Sequence, residues 1–185
     1  FLRWGASWEI VAEACELIVM FGGAPLRNAQ VEPGGLTRHV LRQALTSCRD
    51  NGVEFVNVSP LRDDLADFLE AQWLAPRPNS DTALMLGIAH WLIAEDRHDK
   101  AFLDNHCVGF DRFRAYVTGE SDGEAKTPAW AASICGLEAG VIVDLARRMA
   151  DKRTYITMAL ALQRAQHGEQ PFWMAVTLAA MLGGI

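Results

Sequence analysis

Leu17-Ile18-Val19-Met20-Phe21, closed by Gly22-Gly23, sets the architecture of this chain. Five consecutive apolar residues stopped by glycines give water no face to wet, which suits a strand covered on both sides in a parallel sheet. Downstream, the stretch from about Leu36 to Arg49 is amphipathic at helical spacing, and Val53-Glu54-Phe55-Val56-Asn57-Val58 is rich in β-formers again. The order strand, helix, strand is a βαβ unit. Leu61, Leu65, Phe68 and Leu69 are spaced for one helical face, with Asp63, Asp64 and Asp67 turned to water. A short third strand is expected through Leu74 to Arg77, confined to an edge by Pro76 and Pro78. Ser80 or Asp81 then caps an apolar helix from Thr82 to Ala94.

Between about Asp99 and Gly136 the pattern breaks at Gly109, Gly119, Gly123 and Pro128, which predicts a small helical insertion. Glu138 to Met149 is a further amphipathic helix, Thr154 to Ala159 a fourth parallel strand, and Phe172 to Leu182 a largely buried closing helix. Alternating strands and helices predict an α/β fold. The expected form is a three-layer sandwich with a mostly parallel, Rossmann-like sheet, a single domain over residues 1–185.

Composition supports a core of that size. The chain has 185 residues, of which 50% are hydrophobic and 22% charged, enough length to bury roughly 70% of the unfolded surface without staples. With 17 Lys and Arg against 23 Asp and Glu, the formal charge is −6, which argues against a nucleic-acid surface. The densest cations, Arg147, Arg148, Lys152 and Arg153, sit where a helix C-terminus favours positive charge. No apolar stretch reaches the ~18 residues of a membrane span. Cys15, Cys48, Cys107 and Cys135 form no CxxC pair and are expected as free buried thiols. Trp73, Trp91, Phe172 and Trp173 are expected in the core, any left exposed favouring a dimer.

The strands' carboxyl ends are where such sheets bind ligands. After the first strand, Gly22-Gly23-Ala24-Pro25-Leu26-Arg27-Asn28 runs on to Gly34-Gly35, a long connection that is either a tolerated surface loop or a ligand loop. Glycines there let a backbone approach a ligand, and the Asn28 amide can donate and accept. Neither GxGxxG nor GxxxxGK[ST] is present. Ser59-Pro60 with Arg62 ends the second strand where ribose is commonly contacted, although Pro in a first helical turn explains the pair equally well. Arg77-Pro78-Asn79-Ser80-Asp81 gathers a guanidinium, an amide, a hydroxyl and a carboxylate at a helix start, with Asp81 either a ligand group or an N-cap. His90, His98 and His106 recur at eight-residue spacing without the geometry of a metal site. No GxSxG elbow or carboxylate pair marks a catalytic residue.

Taken together, Phe55-Val56-Asn57-Val58-Ser59-Pro60-Leu61-Arg62-Asp63-Asp64, then Pro76 through His90, resembles the molybdopterin oxidoreductases of the dimethyl sulfoxide reductase family. The nearest branch is the S- and N-oxide reductases of trimethylamine N-oxide, dimethyl sulfoxide and biotin sulfoxide. Thr118-Gly119-Glu120-Ser121-Asp122-Gly123, Lys126 to Ala132, Gln163-Arg164 and His167-Gly168-Glu169-Gln170 add to the likeness. The resemblance implies one α/β domain of a larger bacterial enzyme, periplasmic or cytoplasmic, that grips a molybdopterin guanine dinucleotide. The molybdenum ligand would lie outside the chain, the partners would be the enzyme's remaining domains and its oxide substrate, and the chain alone would be inactive. It places Gly22, Gly23, Ala24, Pro25 and Asn28 along the pyrophosphate or pterin, and Ser59, Pro60 and Arg62 near ribose and guanine. Asn79, Ser80 and Asp81 fall at the guanine edge, and Gln163, Arg164 and His167 toward the pterin. Many relatives carry an acid where Ser59 stands, and Trp-Gly or Trp-Ser where this chain has Leu160-Ala161. A different reading is a stand-alone guanine-nucleotide-binding or interaction module without redox activity.

Overall fold

The computed structural model describes residues 7–27 and 39–184. Four parallel strands form one sheet in the order β3-β2-β1-β4: β1 Leu17–Phe21, β2 Glu54–Val58, β3 Gln72–Leu74 and β4 Thr154–Met158. The central strand is β1, and every one of its five residues is 0% exposed, which is why its sequence carries no polar position. Register runs Met20 opposite Asn57 on β2 and Thr157 on β4, and Phe21 opposite Val58 and Met158, so the carboxyl ends finish level.

Side chains alternate across the sheet into two cores. Ile18, Met20 and Phe55 pack under α1 (Trp8–Ala14) and α2 (Leu41–Asp50). Leu17, Val19, Phe21, Val56 and Val58 pack under α3 (Asp81–Ala94), α7 (Ala139–Asp151) and α8 (Glu169–Met181). Helices thus cover both faces, and the expected three-layer α/β architecture is the one observed. The sheet's described strands are all parallel.

The stretch expected as an insertion forms α4 (Lys100–His106), α5 (Phe110–Val117) and α6 (Pro128–Cys135). It joins the main core through Leu103, Val117, Ala131 and Cys135. Lys126 pins the α5–α6 connection: it is 2% exposed, donates to Asp122 Oδ2 at 2.6 Å and to the Glu124 carbonyl, and lies 4.5 Å from the Tyr116 ring centre.

Several local expectations need correction. The run Leu61–Leu69 is two 3₁₀ turns, Arg62–Asp64 and Asp67–Leu69; Arg62 O accepts from Leu65 N–H and from Asn57 Nδ2, and Asp64 O accepts from the Ala24 N–H of the neighbouring loop, so neither is left for an α-helical partner. Asp64 is therefore not part of a wetted face; its side chain is 17% exposed. Helix α1 was not anticipated, and α2 starts at Leu41 rather than Leu36, with residues 28–38 outside those described. The third strand comes earlier, at Gln72–Leu74, since Pro76 and Pro78 lack ladder donors. Trp73 and Trp173 are 42% and 63% exposed, one on the edge strand and the other on the outer face of α8. Arg148 and Lys152 do more than meet a helix dipole: both bind Glu54 at the start of β2, while Arg153 pairs with Glu16 ahead of β1. The four thiols are free, Cys48 and Cys135 fully buried and the other two partly so.

Candidate functional site at the carboxyl edge of the sheet

Because the four strands end level, the residues following them form one rim. In sheet order, Asn79-Ser80-Asp81 follows β3, Ser59 to Asp64 follows β2, Gly22 to Arg27 follows β1, and Gln163, Arg164 and His167 follow β4. Three interstrand steps of about 4.8 Å make that rim about 14 Å wide. The strand order reverses at β1, with β2 on one side and β4 on the other, the kind of switch point beside which open α/β sheets bind ligands.

The central loop needs its glycines. Gly22 and Gly23 have φ of 81° and 69°, and a Cβ on either would fall 2.7 Å from Ala159 Cβ or 2.5 Å from Asp64 O. Gly22 N–H donates to Val58 O at 2.8 Å, Ala159 N–H to Phe21 O at 2.8 Å and Ala24 N–H to Asp64 O at 2.8 Å. Neighbouring loops are thereby sewn to the tip of β1. Ala24 and Pro25 sit half-buried in this seam. Asn28 lies outside the described residues.

At the tip of β2, Ser59 is 1% exposed; its Oγ donates to Asp64 Oδ2 at 2.7 Å and accepts from the Leu61 N–H at 3.2 Å. Pro60 and Arg62 are exposed, and Arg62 has no ion pair among the described residues. After β3, Asn79 takes a left-handed φ of 65° and is exposed. Ser80 is buried and its hydroxyl donates to Arg77 O at 2.6 Å, so it caps α3 by position without a side-chain bond to the helix. Arg77 is turned away from the rim; its Nη1 donates to Ser133 O and Ile134 O at 3.0 and 3.1 Å, satisfying the end of α6.

Asp81 is the rim's most informative group. It is 5% exposed in the first turn of α3, and burial pushes its carboxyl above the usual aspartate range, offset only by its own backbone N–H. No ion pair accompanies it among the described residues, so its burial is not offset by a neighbouring cation. After β4, Gln163 and Arg164 are exposed, and His167 has a φ of 59°, its Nδ1 3.9 Å from Glu169 Oε1. The Leu162 side chain packs beside Gly22, which carries the 160–163 turn (3₁₀, Leu160–Gln163) against the central loop.

Sequence reasoning missed two members of the rim. Asp64 and Arg27 form an ion pair at 2.9 Å, and Arg27 Nη1 also donates to Asp63 O at 3.2 Å, binding the β1 and β2 loops together. Their separation of 37 positions left no local signal. Asn57 Oδ1 and Thr157 Oγ1, on either side of Met20 in one register row, are buried without partners.

Other candidates lie elsewhere. A concavity of about 590 Å³, lined by Glu13, Cys15, Glu16, Asn51 and Arg153, is at the opposite, amino end of the strands. Among the described residues no three His, Cys, Asp or Glu side chains gather as a metal site: His98 and His106 stack on Phe110 and Phe102, and burial lowers the His90 pKa. No single helix among them is long and apolar enough to cross a membrane.

Comparison with known proteins bears on the fold and the family. The molybdopterin oxidoreductase family model matches residues 3–185. Dimethyl sulfoxide/trimethylamine N-oxide reductase of Cereibacter sphaeroides is 42% identical over 179 residues, 97% of this chain and 22% of that protein. Biotin sulfoxide reductase of the same organism is 44% identical over 177 residues, 96% of this chain and 24% of that protein. Trimethylamine-N-oxide reductase of Salmonella typhi is 39% identical over 185 residues, 97% and 22% respectively. The chain thus spans about a quarter of the length of these relatives. Acetylene hydratase from Pelobacter acetylenicus has the same fold over 94% of this chain and 22% of its own, with a TM-score of 0.75 at 22% identity. With nearly its whole length matched, the chain belongs to the molybdopterin oxidoreductase family.

Proposed function

We propose that this chain is a single cofactor-binding domain of a bacterial molybdenum oxidoreductase that reduces S-oxides or N-oxides. Its Rossmann-like rim grips one molybdopterin guanine dinucleotide. The observation that carries the reading is Asp81, a desolvated carboxylate with no ion pair among the described residues, at the end of the rim. Guanine offers such a group two adjacent donors, its N1–H and exocyclic amine, in a bidentate charge-assisted contact that adenine cannot make.

The residues present fit the rest of that molecule. Asn79 and Ser80 flank the guanine end, Ser59, Pro60 and Arg62 border the ribose, and Gly22, Gly23, Ala24 and Pro25 line the path of the pyrophosphate, with Asn28 beyond the described residues. Arg62 and Arg164 are exposed guanidiniums suited to phosphate oxygens, and Gln163, Arg164 and His167 face the pterin end. When bound, the group supplies the two-electron chemistry that takes an oxide to the sulfide or amine and water. This chain contributes grip and orientation, and the remaining domains contribute the metal's protein ligand and the substrate pocket. Its exposed Trp73, on the edge strand, and Trp173, on α8, suit surfaces that other domains or a second copy cover.

Calorimetric titration with GDP, and with ADP as control, tests the reading. GDP is expected to bind selectively, and Asp81→Ala to weaken GDP at least about tenfold while leaving ADP unchanged. Equal affinity for the two nucleotides would remove the guanine assignment.

A further inference from the structure

In strand–helix–strand nucleotide sites the tip of the second strand reads the ribose, through an acidic side chain accepting from its hydroxyls. Here that tip carries a serine that is closed to a ligand. Ser59 is 1% exposed, its hydroxyl donates to Asp64 Oδ2 at 2.7 Å, and its oxygen already accepts from the Leu61 N–H at 3.2 Å. A carboxylate nonetheless stands at the tip, delivered from five residues downstream.

Asp64 has the properties a diol reader needs. A carboxylate offers about four acceptor positions. Among the described residues two are filled, Oδ2 by Ser59 and Oδ1 by Arg27 Nη2 at 2.9 Å, and the side chain keeps 17% exposure. Its backbone oxygen takes the Ala24 N–H at 2.8 Å, and its Cβ lies 2.7 Å from where a Gly23 Cβ would stand, so it sits at the seam between the β1 and β2 loops, on the carboxyl rim. Held from both sides, the carboxylate loses little freedom when a ligand arrives.

Resting on the nucleotide reading above, we infer that Asp64 is the ribose-reading residue of this site and that Ser59 is a positioning residue acting through it. The ligand chemistry is a vicinal diol, whose two O–H donors match the two remaining acceptor positions. Arg27 couples that reading to the loop along which phosphates pass.

The test is titration of the chain with GDP and with 2′-deoxyGDP. The wild type is expected to prefer GDP by about tenfold, the loss of one hydrogen bond to a charged group. Asp64→Asn is expected to bring the two ligands within about twofold of each other while 2′-deoxyGDP affinity is kept, and Ser59→Ala to retain most of the preference. The double variant Ser59→Asp with Asp64→Asn, which returns a carboxylate to the strand tip, is expected to restore it. Equal binding of both ligands by the wild type overturns the inference and leaves the nucleotide reading standing. No binding of either at millimolar concentration overturns both. Loss of preference in Ser59→Ala while Asp64→Asn keeps it, with melting temperature unchanged, assigns the contact to Ser59 and overturns the inference. Asp64→Asn weakening both ligands equally, with the preference intact, would show a merely structural role. Should Asp64→Asn not fold, the smaller Asp64→Ser takes its place: loss of the preference supports the inference and an intact preference overturns it.

Discussion

A carboxylate buried without a cation is a cost that a protein keeps for a reason, and Asp81 is such a group. Its folded pKa lies above its unfolded value of about 4, so the folded chain holds the proton longer. The stability it allows is complete below the unfolded pKa and is lost as pH rises through the folded one. Asp81→Asn, which carries no charge to desolvate, is therefore expected to melt higher than the wild type at pH 7, with the gap closing toward pH 4. Thermal melts across that range check the sign, and a gap that widens on acidification would contradict it. The same substitution is expected to weaken guanine binding, because stability and recognition pull this residue in opposite directions.

Helix α7 and the sheet are joined by a small ionic cluster at the amino ends of the strands. Arg148 Nη2 lies 3.0 Å from Glu54 Oε2, and Lys152 binds the other oxygen. Hydrogen bonding to Lys152, helped by Arg148, holds the Glu54 carboxyl below its usual range. A depressed pKa contributes stability above the unfolded value of about 4.3, lost as pH falls through the folded value. Glu54 is 48% exposed, so solvent screens the cluster and Glu54→Gln is expected to cost under about 1 kcal/mol at pH 7. The difference is expected to vanish near 1 M salt, which denaturant titration at two ionic strengths measures. The cluster ties β2 to the helix leading into β4, and so helps keep the carboxyl rim level at the other end.

Considered whole, the molecule separates two surfaces. The rim is polar and knit by loop-to-loop hydrogen bonds, whereas the outer face of α8 is apolar: Trp173 and Val176, one turn apart, are 63% and 58% exposed. Beside them a groove of about 310 Å³ runs between α8 and the α4–α5 connection, lined by Val108, Phe110, Phe113 and Val176. An uncovered face of this kind drives association. The chain is expected to self-associate at high concentration and Trp173→Glu to reduce that, read by sedimentation equilibrium, with the melting temperature moving by no more than about 2 °C since the side chain buries little. Self-association unaffected by the substitution would place the contact elsewhere.

Strand β1 was legible because a strand buried on both sides must be apolar throughout, β2 and β4 because they are rich in β-branched and aromatic residues, α7 because an amphipathic helix must repeat every three to four residues, and α3 because its long apolar run follows a capping turn. Gly22, Gly23 and Asp81 were legible for the same kind of local reason, sitting where one strand stops and one helix starts. What stayed hidden depended on partners distant in sequence. Leu61 to Leu69 has helical spacing, yet it closes only as two 3₁₀ turns, with Arg62 O shared with Asn57 and Asp64 O given to Ala24. Arg77 was read with the polar groups gathered before α3 and binds the end of α6, while Ser59 was read beside the ribose and its hydroxyl is bonded to Asp64. Periodicity reports which side of an element is buried; the choice of hydrogen-bond partner is made only when the loops meet across the sheet.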